Sequence, residues 1–333
     1  MRVPQEIASN KLFNAFKQKI LESEAVPYNE FMQWALYHPE FGYYQQNRQR
    51  VGKFAECDFY TSRSLGTLWG NLIISSCVDL IGSDQISNYS FVEIGAETGQ
   101  KTLDGISELP FSTVDTICLN EEIAIPSQAV VFCNEWLDAQ PFRRFSFSSS
   151  LGRWVELGVS FEKNKLIEVI FSDRVEDISV LPPKAEDGYI IDWPSGSISA
   201  LQSLITGSDW KGLFLTFDYG LPLQTILQDR PAGTARAYRN QKLSSDLLLT
   251  PGSQDLTCHL CWDVLEGELR QSGFEKVVLQ TQESFLLNHA VKYIQNVFAQ
   301  KKEGLDDNML ALRELIHPAH LGHGLQALWG IRT

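Results

Sequence analysis

Two short apolar runs constrain this chain more than any other feature. Val130-Val131-Phe132-Cys133 and Gly212-Leu213-Phe214-Leu215-Thr216-Phe217 read as buried strands. Each stops at polar residues, the first at Asn134-Glu135-Trp136-Leu137-Asp138 and the second at Asp218-Tyr219-Gly220. A third strand, Tyr89-Ser90-Phe91-Val92-Glu93-Ile94, is closed by Gly95-Ala96-Glu97-Thr98-Gly99. Helical patterns over about 65–80, 100–107, 197–204 and 263–272 separate these runs and follow them. Strands alternating with helices predict an open, mostly parallel α/β sheet. Ligands in such sheets sit beyond the carboxyl ends of the strands. Polar residues at three of those ends therefore mark one candidate site.

The flanking segments differ in kind. Asn10 is placed to cap a helix with Leu12, Phe13, Phe16 and Ile20 on one face. A second helix follows Asn29 and stops before Pro39, and an aromatic, turn-rich segment from Tyr37 to Tyr44 comes next. Three strands of mainly alternating pattern, over 144–148, 153–161 and 166–171, predict an antiparallel insertion. A Pro-rich linker covers 181–188, a long loop covers 233–256, and a strand covers 276–280. The remainder reads as helical. The expected organisation is a helical part at 1–82, an α/β domain at 83–282 with its β insertion at about 142–180, and a helical region at 283–333.

Charge narrows the function classes. The 28 Lys and Arg against 41 Asp and Glu leave a net charge of -13, which disfavours nucleic acid and anionic membranes as partners. The one basic run, Arg236, Arg239 and Lys242, is sparse. The six cysteines show no disulfide-scaffold spacing and the N-terminus lacks a signal-peptide core, so a reduced, cytoplasmic protein is expected.

Taken singly, each motif has a plain structural reading. Glu93-x-Gly95-x3-Gly99 offers backbone amides to a ligand, or is an ordinary strand-to-helix turn. Asn134-Glu135-x2-Asp138 is able to grip a cationic substrate through carboxylates, or to cap a helix. His259 is a candidate proton acceptor, or a structural hydrogen-bonder. Cys258-x2-Cys261 and His317-x2-His320-x2-His323 look like metal half-sites, but neither has a second pair nearby, and no metal is expected.

Together the motifs resemble the MidA family of class I S-adenosylmethionine-dependent methyltransferases, which includes the mitochondrial complex I assembly factor. The resemblance runs over nearly the whole chain. It rests on the segments from Ala35 to Tyr44, Asp58 to Ser62, Val92 to Ala96, Asn134 to Pro141, Asp218 to Gly220, Gly233 to Tyr238 and Pro251 to His259. It implies a seven-strand Rossmann-like sheet and S-adenosylmethionine as cofactor. Asp58, Phe59, Tyr60, Thr61, Glu93, Gly95 and Gly99 would line the cofactor. Asn134, Glu135, Asp138, Asp218 and His259 would be catalytic, and Tyr219, Arg236, Tyr238, Asp255 and Thr257 would face the substrate. The mitochondrial relatives methylate protein arginine, so a protein substrate is implied, and a homodimer is also expected.

Two departures stand out. Glu97 occupies a position where the family has glycine, so its carboxylate would crowd that of the cofactor. Only 34 residues separate Gly99 from Asn134, too few for two helices and two strands of mean length. Asn120 and Glu121 are the sole candidates for the acid that holds the ribose. A non-catalytic binding protein that lost its cofactor is therefore the rival, and a metal-dependent hydrolase a distant third.

Overall fold

The computed structural model describes residues 13–20, 23–46, 50, 62–96, 101–163, 165–173, 175, 178–299, 307–317 and 324–333. A six-stranded sheet forms its centre, with strands β1 (Ser90–Ile94), β2 (Val114–Ile117), β3 (Gln128–Asn134), β4 (Lys211–Asp218), β5 (Lys276–Thr281) and β6 (Gln326–Arg332). Their spatial order is β5-β6-β4-β3-β1-β2. The β2, β1, β3 and β4 strands run parallel, whereas β6 is antiparallel to both β4 and β5. Central β3 and β4 are buried along nearly their whole length, which explains their continuous apolar sequence.

Helices cover both faces. On one side pack α2 (Thr67–Ile81), α5 (Gln282–His289), α6 (Val291–Ala299) and α7 (Asp307–Ile316), with Trp69, Phe285 and Leu312 against Leu215, Phe217 and Trp329. On the other pack α3 (Ser195–Thr206) and α4 (Trp262–Gln271), with Leu201, Leu265 and Leu269 against Val131, Phe214 and Leu328. Gly82, at φ 104, ends α2 in a conformation that suits glycine. Thr281 caps α5 by accepting the Ser284 N–H.

The insertion is a separate antiparallel sheet built from Arg143–Ser148, Arg153–Glu162 and Lys165–Ser172, joined by Val26–Pro27 and Ile190–Trp193. The helical residues 13–20 and α1 (Tyr28–Tyr37) pack on this sheet through Phe16, Phe31, Leu36, Phe142 and Val159. The insertion and the N-terminal helices thus form one body beside the site.

Several expectations need correction. The resemblance implied seven strands, and the described sheet has six: the short stretch before β3 supplies β2 alone. Residues 101–107 form turns rather than the expected helix, and β2 was not anticipated. The C-terminal region is not wholly helical, because β6 inserts between β4 and β5. The loop expected over 233–256 contains a hairpin of Arg236–Arg239 and Lys242–Ser244, paired in turn with Asp255–Thr257. No helix follows Asn134, where turns occur instead. Among the described residues no helix is long and apolar enough to cross a membrane. Asn10 and Leu12 lie outside the described residues.

Candidate functional site

The carboxyl ends of β1, β3 and β4 lie side by side, with Ile94 opposite Cys133 and Asn134 opposite Phe217. The Glu135 N–H extends the ladder by one bond, to the Phe217 carbonyl at 2.8 Å. Glu135 itself sits at φ 47, a left-handed conformation that costs a non-glycine residue energy. Asp218, fully buried at the end of β4, organises the turn after β3. Its Oδ2 accepts the N–H groups of Leu137 at 3.0 Å and Asp138 at 3.3 Å, and its Oδ1 accepts that of Tyr219 at 2.8 Å. Burial pushes the Asp218 carboxyl up to about 7, although these N–H groups act the other way. Its oxygens hold the 136–138 turn in place.

That turn delivers Asp138 into a crowd of acids. Burial first, then Asp218, Asp255 and Glu135, push the Asp138 carboxyl well above its ordinary value. Asp255 is also buried and accepts the Tyr44 phenol at 2.9 Å. The Tyr37 phenol donates to the Ala139 carbonyl at 2.9 Å, and its ring stacks on Tyr44 with centroids 5.4 Å apart. Burial and the nearby acids push the Tyr219 and Tyr238 phenols up, so both remain protonated donors. The structure therefore brings together Asn134, Glu135, Asp138, Asp218, Tyr219, Tyr238 and Asp255. Tyr37 and Tyr44 join them; their aromatic segment was visible in the sequence, but their place at the site was not.

Arg236 and Thr257 face each other in the small sheet that carries Tyr238 and Asp255. One Arg236 nitrogen is occupied by the Ala235 carbonyl at 2.6 Å. His259 lies nearby in sequence. Burial, then Arg230 and Arg236, push its imidazole down to about 4, and its buried Nδ1 has no hydrogen-bond partner among the described residues. It is neutral at pH 7, and burial and the two arginines make it a weak proton acceptor there.

Asp192 is a further organising residue, and sequence reasoning missed it. Its fully buried carboxylate accepts the N–H groups of Thr234 at 2.7 Å and Ala235 at 2.8 Å and pairs with Arg144. A Cβ at Gly233 would overlap that carboxylate, so glycine is required there. The insertion sheet thus anchors the 233–235 segment. Asp192-Trp193-Pro194 at the end of a short strand was the available signal.

At β1, Glu93 is buried and turned back on its own loop. Its Oε2 accepts the Thr102 N–H at 2.8 Å and its Oε1 the Thr102 hydroxyl at 2.7 Å. Gly95, at φ 73, lies directly beneath the Trp136 indole, which a Cβ would overlap. Asn120, at φ 69, and Glu121 follow β2; the Glu121 carboxylate accepts the Cys118 N–H at 2.7 Å and is otherwise exposed. Asp58, Phe59, Tyr60, Thr61, Glu97 and Gly99 lie outside the described residues. Cys258 and Cys261 are buried free thiols, and His320 and His323 are not among the described residues. Among the described residues no three His, Cys, Asp or Glu side chains are grouped to hold a metal ion.

A family model described as "putative S-adenosyl-L-methionine-dependent methyltransferase" matches residues 84–279, more than half of the chain. The chain belongs to this methyltransferase family. The matched residues include the carboxyl ends of β1, β3 and β4 together with the insertion. A Burkholderia thailandensis protein crystallised with S-adenosyl-homocysteine shares the methyltransferase fold at TM-score 0.84 and 22% identity, over 100% of this chain and 95% of that one. A native crystal structure from the same organism aligns at TM-score 0.79 and 20% identity, over 100% and 94%. A search of curated proteins returned no match.

The residues described fit the methyltransferase cofactor at two places. The Asn134 Oδ1 is buried at a strand end with no hydrogen-bond partner among the described residues, while the Asn134 amide donates to Glu135 Oε1 at 3.1 Å. An orphaned acceptor in that position suits an ammonium donor. Glu121, beyond β2, retains exposed carboxylate oxygen for hydroxyl groups.

Proposed function

We propose that the protein is a MidA-type methyltransferase acting on a cationic protein side chain, with arginine the foremost candidate. The observation that carries the reading is the convergence of Glu135, Asp138 and Asp255 with the tyrosines at the mouth of the sheet. Buried acids cluster at a cost unless a cation joins them. Burial and the neighbouring Asp218, Asp255 and Glu135 hold the Asp138 carboxyl well above its ordinary value. A guanidinium entering it would draw the acids into their ionised forms and be held by charge-assisted hydrogen bonds.

In this reading Asn134 and Glu121 hold S-adenosylmethionine, together with Gly95 and the cofactor-lining residues expected from sequence. When bound, that group supplies an electrophilic methyl on a sulfonium. The chain supplies position, which is where much of the acceleration arises. Glu135 and Asp138 orient the guanidinium, and Asp218 and Asp192 hold the turn and loop that carry the site. The proton lost from the methylated nitrogen passes to Asp138.

The test is Glu135→Gln with arginine-containing peptides as acceptors. Methyl transfer should fall about 10²-fold, equivalent to roughly 2.7 kcal/mol, while cofactor affinity and melting temperature change little. Full turnover in this variant would remove Glu135 from the site and leave the arginine reading without its main support.

A further inference from the structure

Arg144 and Asp192 stand directly opposite one another on neighbouring strands of the insertion sheet. Residues so paired in an antiparallel sheet project from the same face, side by side. Their ion pair follows from that register, and it is buried: the Asp192 side chain is fully enclosed and the Arg144 side chain is 13% exposed. The guanidinium does more than meet Asp192. Its Nη1 donates to Asp192, while its Nε donates at 2.9 Å to Glu168 on the outermost strand of the sheet. Glu168 also accepts the Tyr28 phenol at 2.6 Å, and the guanidinium carbon lies 5.5 Å over the centre of the Tyr28 ring. Two carboxylates and an aromatic face thus hold the planar fork in one orientation, an arrangement a lysine ammonium does not reproduce.

The other oxygen of Asp192 reaches the site. Oδ2 accepts the Thr234 and Ala235 N–H groups, immediately before the strand Arg236–Arg239 that carries Tyr238. That strand pairs with Asp255–Thr257, so Tyr238 stands opposite Asp255. The chain after Thr257 is then fixed at two points. The Cys258 N–H donates to the Asp138 carbonyl at 3.1 Å, and the His259 N–H to Thr234 Oγ1 at 3.3 Å. Asp192 therefore sets the placement of the wall beside Asp138. It holds the two N–H groups most strongly as a carboxylate, and a buried carboxylate without a paired cation is costly. Among the described residues, Arg144 is the cation that pairs with it. We propose that Arg144 is a positioning residue for methyl transfer: from outside the site, it keeps Asp192 able to hold residues 234–239 against the Asp138 turn. The proposal rests on the reading of this wall as the acceptor side of the site.

The test is a double-mutant cycle on the full chain, read in two ways. Hydrogen exchange followed by mass spectrometry reports how firmly residues 234–239 are held. Methyl transfer to arginine-containing peptides, with S-adenosyl-homocysteine affinity measured alongside, reports the consequence. Arg144→Gln should speed exchange over 234–239 and lower kcat about tenfold, while S-adenosyl-homocysteine affinity stays within about twofold. Asp192→Asn alone should act in the same direction. When both changes are combined, a neutral amide pair replaces the ion pair and an asparagine oxygen still accepts the two N–H groups, so most of the loss in both readouts should return. A residue that served the fold alone would lower the melting temperature and leave kcat normal in the folded protein. Arg153→Gln, which breaks an exposed ion pair with Asp173 on the same sheet, should leave both readouts alone. Should Arg144→Gln fold poorly, Arg144→Lys keeps the charge without the fork and should show the same changes more weakly. Unchanged exchange in Arg144→Gln, faster exchange with wild-type kcat, or single losses that add without rescue would each overturn the proposal. A wild type that transfers no methyl to arginine peptides would overturn the acceptor reading instead, and the exchange cycle would still decide whether Arg144 holds the wall.

Discussion

Glu93 tests how Thr102 is held to the end of β1. Its two carboxylate oxygens receive the Thr102 N–H at 2.8 Å and the Thr102 hydroxyl at 2.7 Å, which clasps Thr102 to β1. Both bonds lie in a buried setting and both are charge-assisted, a class worth about 1.5–3 kcal/mol each. Thr102→Val removes one bond and keeps the shape, so it should cost about 1.5–3 kcal/mol. Glu93→Gln keeps an acceptor but loses the charge, and should cost a similar amount. In the double variant the hydroxyl bond is lost only once, so the coupling energy should be about 1–3 kcal/mol. Urea unfolding of the four proteins measures this directly, and titration of each with S-adenosyl-homocysteine shows whether the clasp also serves the cofactor. Coupling within about 0.5 kcal/mol of zero, the usual result for independent sites, would refute the clasp.

Further outcomes rest on the same geometry. Gly95→Ala forces a side chain into a left-handed conformation and against Trp136, so it should lose about 2–5 kcal/mol in chemical denaturation; a loss below about 0.5 kcal/mol would show that the indole moves aside. His259 is held neutral in the folded chain down to about 4, against an ordinary value near 6.5, so the stability it contributes is present above pH 6.5 and is lost as pH falls towards 4. The melting-temperature difference between the wild type and His259→Asn should shift against the wild type over that interval, and a difference that is flat with pH would contradict the burial argument.

The strand ends were legible because apolar runs stop where polar chemistry begins, as at Cys133-Asn134 and Phe217-Asp218. The three insertion strands were legible from their alternation. β6 was not: Gln326–Arg332 is a short apolar run, and periodicity alone cannot separate a buried strand from part of a helix. β2 has only four residues, half of them exposed, which leaves little pattern to read. The hairpin at Arg236–Ser244 turns on Asn-Gln rather than a glycine dipeptide, so its usual signal was absent. The lone acids Asp218 and Asp192 looked respectively catalytic and unremarkable. Both prove to anchor loops, and only the partners of their oxygens reveal it. Tyr37 and Tyr44 reach the site through helix packing on the insertion, a long-range consequence that local pattern does not contain.

The central claim is that the carboxyl edge of a shortened six-stranded sheet still holds a methyl donor. Isothermal titration with S-adenosyl-homocysteine and with S-adenosylmethionine addresses it most directly. One equivalent of each should bind per chain with a dissociation constant near micromolar, worth about 8 kcal/mol. Binding should raise the melting temperature and weaken on Asn134→Ala. No heat and no thermal shift at millimolar ligand would contradict the account and leave a methyltransferase fold used for binding alone.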